Sequence, residues 1–217
     1  MQVSVQAATQ TSLNIDSFED LIPFYPKLRG IRYNHVVSAI NSSQHSDLLT
    51  SPLDRLALKA IRSQSELIVT TGLTARTEKL KASAFADLLV LTDQPKLELP
   101  ALDETSSRKV LVTTEKLSVS NLNAHAVGTI QGSPTSWFTG WVKGKYDSIA
   151  LESGIRTAML FAAEGLIAEA CLTVTSASTQ HQAEAIAKDF LIQLGLVAKQ
   201  IQSINDASTW LFRFSVS

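Results

Sequence analysis

Two segments carry glycine and polar side chains at points where a predicted strand turns into a predicted helix. The first spans 69–78 (VTTGLTARTE), and the second spans 149–156 (IALESGIR). Each turn presents free backbone N–H groups at a helix N-terminus, beyond the carboxyl end of a strand, where a phosphate or pyrophosphate can bind. Thr74, Ser153 and a nearby arginine would assist that binding. Ordinary β–α turns share the pattern, so the residues alone leave both interpretations open.

Other reactive residue types do not form a pattern that indicates catalysis or metal binding. The four histidines are scattered along the chain: His35, His45, His125 and His181. None lies at metal-ligand spacing from a cysteine or a carboxylate, so we expect no metal site. Cys171 lies on a predicted buried strand and is expected to be an inert core residue. Trp137 and Trp141 are expected to pack on the sheet, with stacking on a ligand ring as the alternative.

The familiar nucleophile and nucleotide-binding motifs are absent from the sequence. It contains no G-x-S-x-G elbow, no Walker loop and no G-x-G-x-x-G fingerprint. The 19 basic and 20 acidic residues leave a net charge of −1. That balance argues against a nucleic-acid-binding protein, which would show a basic excess.

The composition predicts a folded cytoplasmic protein without a membrane span. The 217 residues fit one large domain or two small ones, and 45% of them are hydrophobic. A single cysteine excludes an internal disulfide and fits a reducing compartment. The most apolar stretch, 155–174, is interrupted by Arg156, Glu164 and Glu169, and the N-terminus lacks the pattern of a signal peptide.

The elements that position the two turns alternate between strands and helices. We interpret residues 1–30 as an N-terminal arm and 31–217 as one α/β domain. Ser51, Pro52 and Asp54 have the spacing of a helix start. The predicted strands are Arg32–Ala39, Leu67–Thr71, Asp87–Thr92, Lys109–Thr114, Ser148–Leu151 and Ala170–Thr175. The predicted helices begin at Ser51, at Thr74 (to Lys81), at Ser133 (ending at Gly144), at Gly154 (to Glu164) and before the apolar stripe 183–194.

The end of the chain changes character. In the run Thr209–Val216, apolar residues alternate at Trp210, Phe212, Phe214 and Val216, which predicts a half-buried antiparallel strand. The whole pattern indicates a mostly parallel central sheet with helices on both faces and a C-terminal antiparallel pair.

Four stretches in order resemble the pyrimidine-reductase family of riboflavin biosynthesis, the reductase domain of the bifunctional deaminase–reductases. Residues 34–38 (NHVVS) resemble the strand leading to the S-x-D-G turn, and 51–62 (SPLDRLALKAIR) resemble the S-P-x-D-R … L-R helix. Residues 67–78 resemble V-G-A-G-T-x-R-x-E. Residues 148–174 resemble E-G-G-P-x-L … G-L-V-D-E-L-x-L-T-V, the most specific match. The resemblance spans about 31–175 and implies a dihydrofolate-reductase-like fold.

The resemblance also implies a reaction, a cofactor and a set of site residues. NADPH would lie across the carboxyl edge of the sheet and pass a hydride to a ribosylaminopyrimidine phosphate. The residues expected at the cofactor are Gly72, Thr74, Arg76, Thr92, Ser153, Gly154 and Ile155. Thr92 and Asp93 would approach the adenosine ribose, although an acid suits a ribose 2′-phosphate less well than an arginine or lysine. Ser38, Asn41 and Glu152 would face the substrate, and a homodimer is expected.

Several residues differ from the family pattern at those turns, which supports a second hypothesis. Ile40 and Asn41 replace the acid and glycine of S-x-D-G, and Thr71 and Leu73 replace the outer glycines of G-A-G-T. A left-handed conformation at Thr71 or Leu73 would cost about 1–2 kcal/mol each. The alternative to a reductase is therefore a non-catalytic homologue that keeps the fold as a binding or assembly module. The choice between NADPH and NADH is left open.

Overall fold

The structure is a computed structural model that describes residues 9–10, 15–39, 51–77, 83–94, 96–98, 108–114, 116–118 and 124–217. The described helices are α1 (Pro52–Ser63), α2 (Gly72–Thr77), α3 (Pro134–Val142), α4 (Ile155–Ala163) and α5 (Gln180–Gln193). The described strands are β1 (Thr9–Gln10), β2 (Gly30–Ser38), β3 (Leu67–Thr71), β4 (Asp87–Leu91), β5 (Lys96–Glu98), β6 (Val110–Val112), β7 (Lys116–Ser118), β8 (Ala124–Ala126), β9 (Ser148–Leu151), β10 (Ile167–Thr175), β11 (Ala198–Asp206) and β12 (Thr209–Val216).

Ten of the strands form one sheet in the order β1-β11-β12-β10-β2-β9-β3-β4-β6-β8. The strands from β10 to β8 pair in parallel, and β12 pairs antiparallel with both β10 and β11. Strands β5 and β7 form a separate parallel ribbon. The predicted fold class, a mostly parallel sheet with a C-terminal antiparallel pair, is confirmed.

Helices cover both faces of this sheet. On the first face, Phe138 of α3, Phe161 of α4 and Phe190 of α5 share one core cluster. On the second face, α1 and α2 supply small side chains, including Ala60 and Ala75, to another cluster. Among the described residues, no helix is long and apolar enough to cross a bilayer.

The predicted helix starts are mostly confirmed. The hydroxyl of Ser51 accepts a hydrogen bond from the Asp54 N–H at 3.1 Å, and Pro52 begins α1. Ser133 occupies the position before α3, but its hydroxyl pairs with the Thr135 hydroxyl at 2.7 Å and does not cap the helix. Helix α2 begins at Gly72, two residues earlier than predicted, and its predicted end lies outside the described residues.

The prediction that β12 is half-buried is wrong, because both of its faces are covered. Phe212 and Phe214 belong to the core of the first face, whereas Leu211 belongs to that of the second face. Helix α1 packs against β12 there. The strand is also paired along both edges, so its edges are not free to pair with another chain.

The segment 15–29 packs on the second face through a buried charge network. Leu21, Phe24 and Tyr25 are at most 3% exposed. Glu169 accepts hydrogen bonds from Arg32 Nε at 2.5 Å and from Arg213 Nε at 2.9 Å. The network extends to the segment itself, because Arg32 donates to the Pro26 carbonyl at 2.8 Å and Arg213 donates to the Phe24 carbonyl at 2.6 Å.

Candidate functional site

The direction in which successive strands are added to the sheet reverses between β3 and β9, which are neighbours in the sheet. Residue pairs such as Val69 and Leu151 lie side by side, and the Glu152 N–H donates to the Val69 carbonyl at 2.7 Å. From β3 the chain continues through α2 to β4, whereas from β9 it continues through α4 to β10 on the other side of β2. Such a switch opens a crevice at the carboxyl edge of a parallel sheet, where ligands bind in this class of fold.

Both turns singled out in the sequence lie at this switch. The β3–α2 turn contains Gly72, whose missing Cβ would lie 3.0 Å from the Thr92 Cβ and Oγ1. It would also lie 3.5 Å from Arg76 Nη1. The structure therefore brings together three residues predicted at the cofactor, and it explains why this position has no side chain.

The substitutions at Thr71 and Leu73 cause no backbone strain. Among the described residues, Ser176 and Ala207 are the non-glycine residues with positive φ. The Thr71 hydroxyl accepts a hydrogen bond from the Thr74 N–H at 3.2 Å and contacts the Thr74 hydroxyl at 3.0 Å. Thr74 therefore stabilises the turn. The energetic cost expected for a left-handed conformation at Thr71 or Leu73 does not arise.

The β9–α4 turn leaves a helix N-terminus without a side-chain cap. Gly154 precedes α4 in an extended conformation, is exposed, and has open space where a Cβ would stand. Ser153 is 4% exposed, and its Oγ has no hydrogen-bond partner among the residues that the structure describes. The half-buried Ile155 begins the helix, and the exposed Arg156 follows it. An uncapped N-terminus beside a buried free hydroxyl has the donor groups that bind an anion.

Glu152, predicted to face a substrate, is held by a cation from α1. Its two carboxylate oxygens accept hydrogen bonds from Arg62 Nε at 2.8 Å and Arg62 Nη2 at 2.6 Å. The side chain of Glu152 is 9% exposed and that of Arg62 is 24% exposed. A bidentate pair of this kind fixes the position of the carboxylate.

Two further polar residues flank Glu152 and were not predicted. In the sheet, Leu151 of β9 pairs with Tyr33 of β2 on one side and with Val69 of β3 on the other. The residues that follow these three along the chain are Asn34, Glu152 and Thr70. The three side chains therefore lie in one row on the second face. Asn34 Oδ1 and Thr70 Oγ1 are buried, and neither has a hydrogen-bond partner within the described parts of the chain. No sequence signal distinguishes such atoms, because only packing shows that a polar group has been left without a partner.

The remaining predicted residues are spread along the same edge. Ser38 ends β2 opposite Thr175, and Thr92 directly follows β4 with Asp93 exposed after it. Asn41 lies outside the described residues.

Other groups considered in the sequence lie away from this edge or in the core. Cys171 is buried, its thiol donates to Glu169 Oε1 at 3.6 Å, and burial raises its pKa. Trp137 and Trp141 stack on one another with 5.7 Å between ring centroids and pack against the core of the first face. Within the described parts of the chain, no three metal-ligating residues are grouped.

The strand order and the helices on both faces define an α/β fold of the dihydrofolate-reductase-like type. No protein-family model and no curated protein matches the sequence. In structure, the chain is similar to a pyrimidine reductase-like protein from Corynebacterium diphtheriae, with 14% identity, a TM-score of 0.64, and coverage of 91% of this chain and 94% of that one.

Two further proteins share the same fold. One is a diaminohydroxyphosphoribosylaminopyrimidine deaminase/5-amino-6-(5-phosphoribosylamino)uracil reductase from Thermotoga maritima, with 11% identity, a TM-score of 0.63, and coverage of 92% of this chain and 60% of that one. The other is the riboflavin biosynthesis reductase Rib7 from Saccharomyces cerevisiae, with 10% identity, a TM-score of 0.58, and coverage of 87% and 90%. The predicted resemblance is thus confirmed at the level of the fold.

Proposed function

We propose that this chain is a reductase that uses a nicotinamide cofactor, with NADPH expected from the resemblance. Its substrate would be a small pyrimidine compound of the 5-amino-6-(5-phosphoribosylamino)uracil type. The observation that carries the proposal is the buried, unpartnered Ser153 hydroxyl beside the uncapped N-terminus of α4, at the switch between β3 and β9. A free hydroxyl donor and free backbone N–H groups at one place suit a phosphate.

The residues at the two turns have separate tasks in this proposal. Ser153, Gly154 and Ile155 would bind the pyrophosphate through the serine hydroxyl and the N–H groups of the first turn of α4. Arg76 would add a positive charge beside the Gly72–Thr92 contact. The bound cofactor would supply the hydride, and the protein would supply orientation and electrostatics.

The substrate would lie on the second face, along the row that contains Glu152. The Arg62 guanidinium keeps the Glu152 carboxylate in one position, so it can accept a hydrogen bond from a ring N–H without first reorganising. The unpartnered Asn34 Oδ1 lies on the next strand of the same row. Ser38, at the end of β2, is a further proposed substrate contact, and Asn41 remains one as implied by the resemblance.

A charge placed at the α4 N-terminus tests the cofactor site without weakening the fold. Gly154→Asp should repel the pyrophosphate and lower NADPH affinity by at least about tenfold in calorimetric titration. The same aspartate should cap α4 and maintain or raise the melting temperature, since Asp is a favoured N-cap residue and no atom occupies its Cβ position.

The matched control is Gly140→Asp, which adds the same charge at an exposed position of α3 with open space around it. It should leave cofactor binding unchanged. Equal affinity in the wild type and Gly154→Asp would contradict this cofactor site. Absence of binding by the wild type at millimolar NADPH and NADH would contradict the proposed function itself.

The second candidate function is a non-catalytic binding or assembly module with the same fold. The pairing of both Glu152 oxygens with Arg62 supports it, because a structural salt bridge leaves less of the carboxylate for a substrate. Oxidation of NADPH in the presence of a pyrimidine substrate would exclude this alternative.

We also propose a homodimer and a cytoplasmic location. Because β12 is paired along both edges, a dimer would have to use another surface. Light scattering that gives a monomeric mass would contradict the dimer.

A further inference from the structure

The turn after β4 carries an exposed carboxylate, that of Asp93, on a backbone anchored on both sides by hydrogen bonds. The Thr113 hydroxyl accepts from the Thr92 N–H at 2.7 Å and donates to the Thr92 carbonyl at 2.9 Å. The Gln94 N–H donates to Thr92 Oγ1 at 3.1 Å, and the Thr114 hydroxyl donates to the Gln94 carbonyl at 3.0 Å. Asp93 lies between these anchored residues and is exposed.

The guanidinium group of Arg76 lies next to this turn without pairing with the Asp93 carboxylate. Arg76 Nη1 is 3.5 Å from the Cβ position of Gly72, which itself touches Thr92. Arg76 and Asp93 are both exposed, and the ion pairs of the described residues do not include one between them. Within the described residues, Asp93 Oδ1 accepts a hydrogen bond from the side-chain amide of Gln94 at 3.3 Å.

The distance between the carboxyl ends of β9 and β4 suits a dinucleotide. Strand β4 is separated from β9 by β3, and neighbouring strands lie about 4.8 Å apart, so the two strand ends are about 10 Å apart. A dinucleotide with its pyrophosphate at the α4 N-terminus would therefore bring a ribose close to the end of β4. A ribose 2′-hydroxyl can donate a hydrogen bond to a carboxylate, whereas a 2′-phosphate is repelled by it.

We propose that Asp93 determines the cofactor specificity of this site by accepting a hydrogen bond from a free ribose 2′-hydroxyl, so that NADH binds more tightly than NADPH. The inference rests on the proposed function and departs from the cofactor that the resemblance implies. Arg76 attracts the phosphates of both cofactors, so it does not distinguish them. Asp93 distinguishes them because it interacts with the one group in which they differ.

Calorimetric titration of the full chain with NADH and with NADPH tests the proposal without requiring turnover. The wild type should bind NADH about tenfold more tightly than NADPH. In Asp93→Asn the NADPH affinity should rise about tenfold, because the repulsion of a doubly charged phosphate is removed. Asp93→Arg should invert the preference. Asp189→Asn, which removes an exposed carboxylate on α5, should leave both affinities unchanged.

The outcomes separate this inference from the proposed function. A wild type that binds NADPH more tightly, or a ratio of affinities that is the same in Asp93→Asn, overturns the role of Asp93 and leaves the reductase proposal intact. Failure of the wild type and all variants to bind either cofactor overturns the proposed function and this inference with it. Melting temperatures of the variants confirm that each is folded.

Discussion

The two edges of the parallel sheet differ in whether their buried polar atoms have hydrogen-bond partners. At the amino edge, Glu169 is paired with both Arg32 and Arg213, and the guanidinium groups also donate to carbonyls of the segment 15–29. Toward the carboxyl ends of β3 and β9, the buried atoms Thr70 Oγ1 and Ser153 Oγ have no partner among the described residues. A buried polar group without a partner costs about 1–3 kcal/mol, so such groups are expected where a ligand supplies the missing bond.

The largest expected effect comes from breaking the amino edge. Glu169→Gln leaves the buried Arg32 and the partly buried Arg213 without a counter-charge, although the side chain keeps its shape. We expect the free energy of unfolding to fall by about 3–5 kcal/mol in urea denaturation. Glu164→Gln, at an exposed position after α4, should change it by less than about 0.5 kcal/mol. A loss below about 1 kcal/mol in Glu169→Gln would mean that the network does not hold this edge together.

The free energy of unfolding should depend on pH through a histidine that lies between the two edges. His35, near the middle of β2, is stacked between Tyr33 and Phe190 at 5.8 and 4.9 Å, and burial lowers its pKa to about 4. Above the ordinary histidine pKa near 6.5, the ring is neutral in both states and its contribution to stability is complete. Between about 6.5 and 4 the unfolded chain takes up the proton and the folded chain does not, so stability falls as the pH falls.

The expected slope from His35 is at most about 1.4 kcal/mol per pH unit. His35→Phe should lose this part of the pH dependence, measured as the difference between wild-type and variant denaturation curves from pH 7 to 4. His181→Gln, which removes an exposed histidine on α5, should keep it. Identical pH dependence in the wild type and His35→Phe would show that the ring is not held neutral by burial.

The smallest expected effect compares two threonines at the carboxyl edge. Thr70 has a buried hydroxyl without a partner in the described structure, so Thr70→Val should raise the free energy of unfolding by about 1 kcal/mol. The Thr113 hydroxyl makes two hydrogen bonds to Thr92, so Thr113→Val should lower it by about 1–3 kcal/mol. If both variants lost stability equally, the Thr70 hydroxyl would have a partner and the contrast between the edges would weaken.

Local sequence signals predicted the helices and the strands β2, β3, β4, β6, β9, β10 and β12, because such signals depend on neighbouring residues. The strands β1, β5, β7, β8 and β11 were not predicted. The Ser51–Asp54 cap and the buried strands Leu67–Thr71 and Ser148–Leu151 are found as predicted. The prediction for β12 was wrong because the alternation of large residues gave no sign that the segment 15–29 and α1 would cover its second face. At the site, the sequence identified both turns but missed Asn34 and Thr70, and it gave no partner for Glu152.

The sequence by itself determined the alternation of strands and helices, the two turns with glycine and polar residues, and the resemblance that implies a reductase fold. Periodicity, caps and motif spacing are properties of short segments, which is why they can be recognised without a structure. The tertiary structure decided that β9 enters between β2 and β3, which brings both turns to neighbouring strand ends at one edge of the sheet. It also decided which polar groups are paired, because pairing depends on residues such as Arg62 and Glu152 that are far apart in the chain and meet when the sheet assembles.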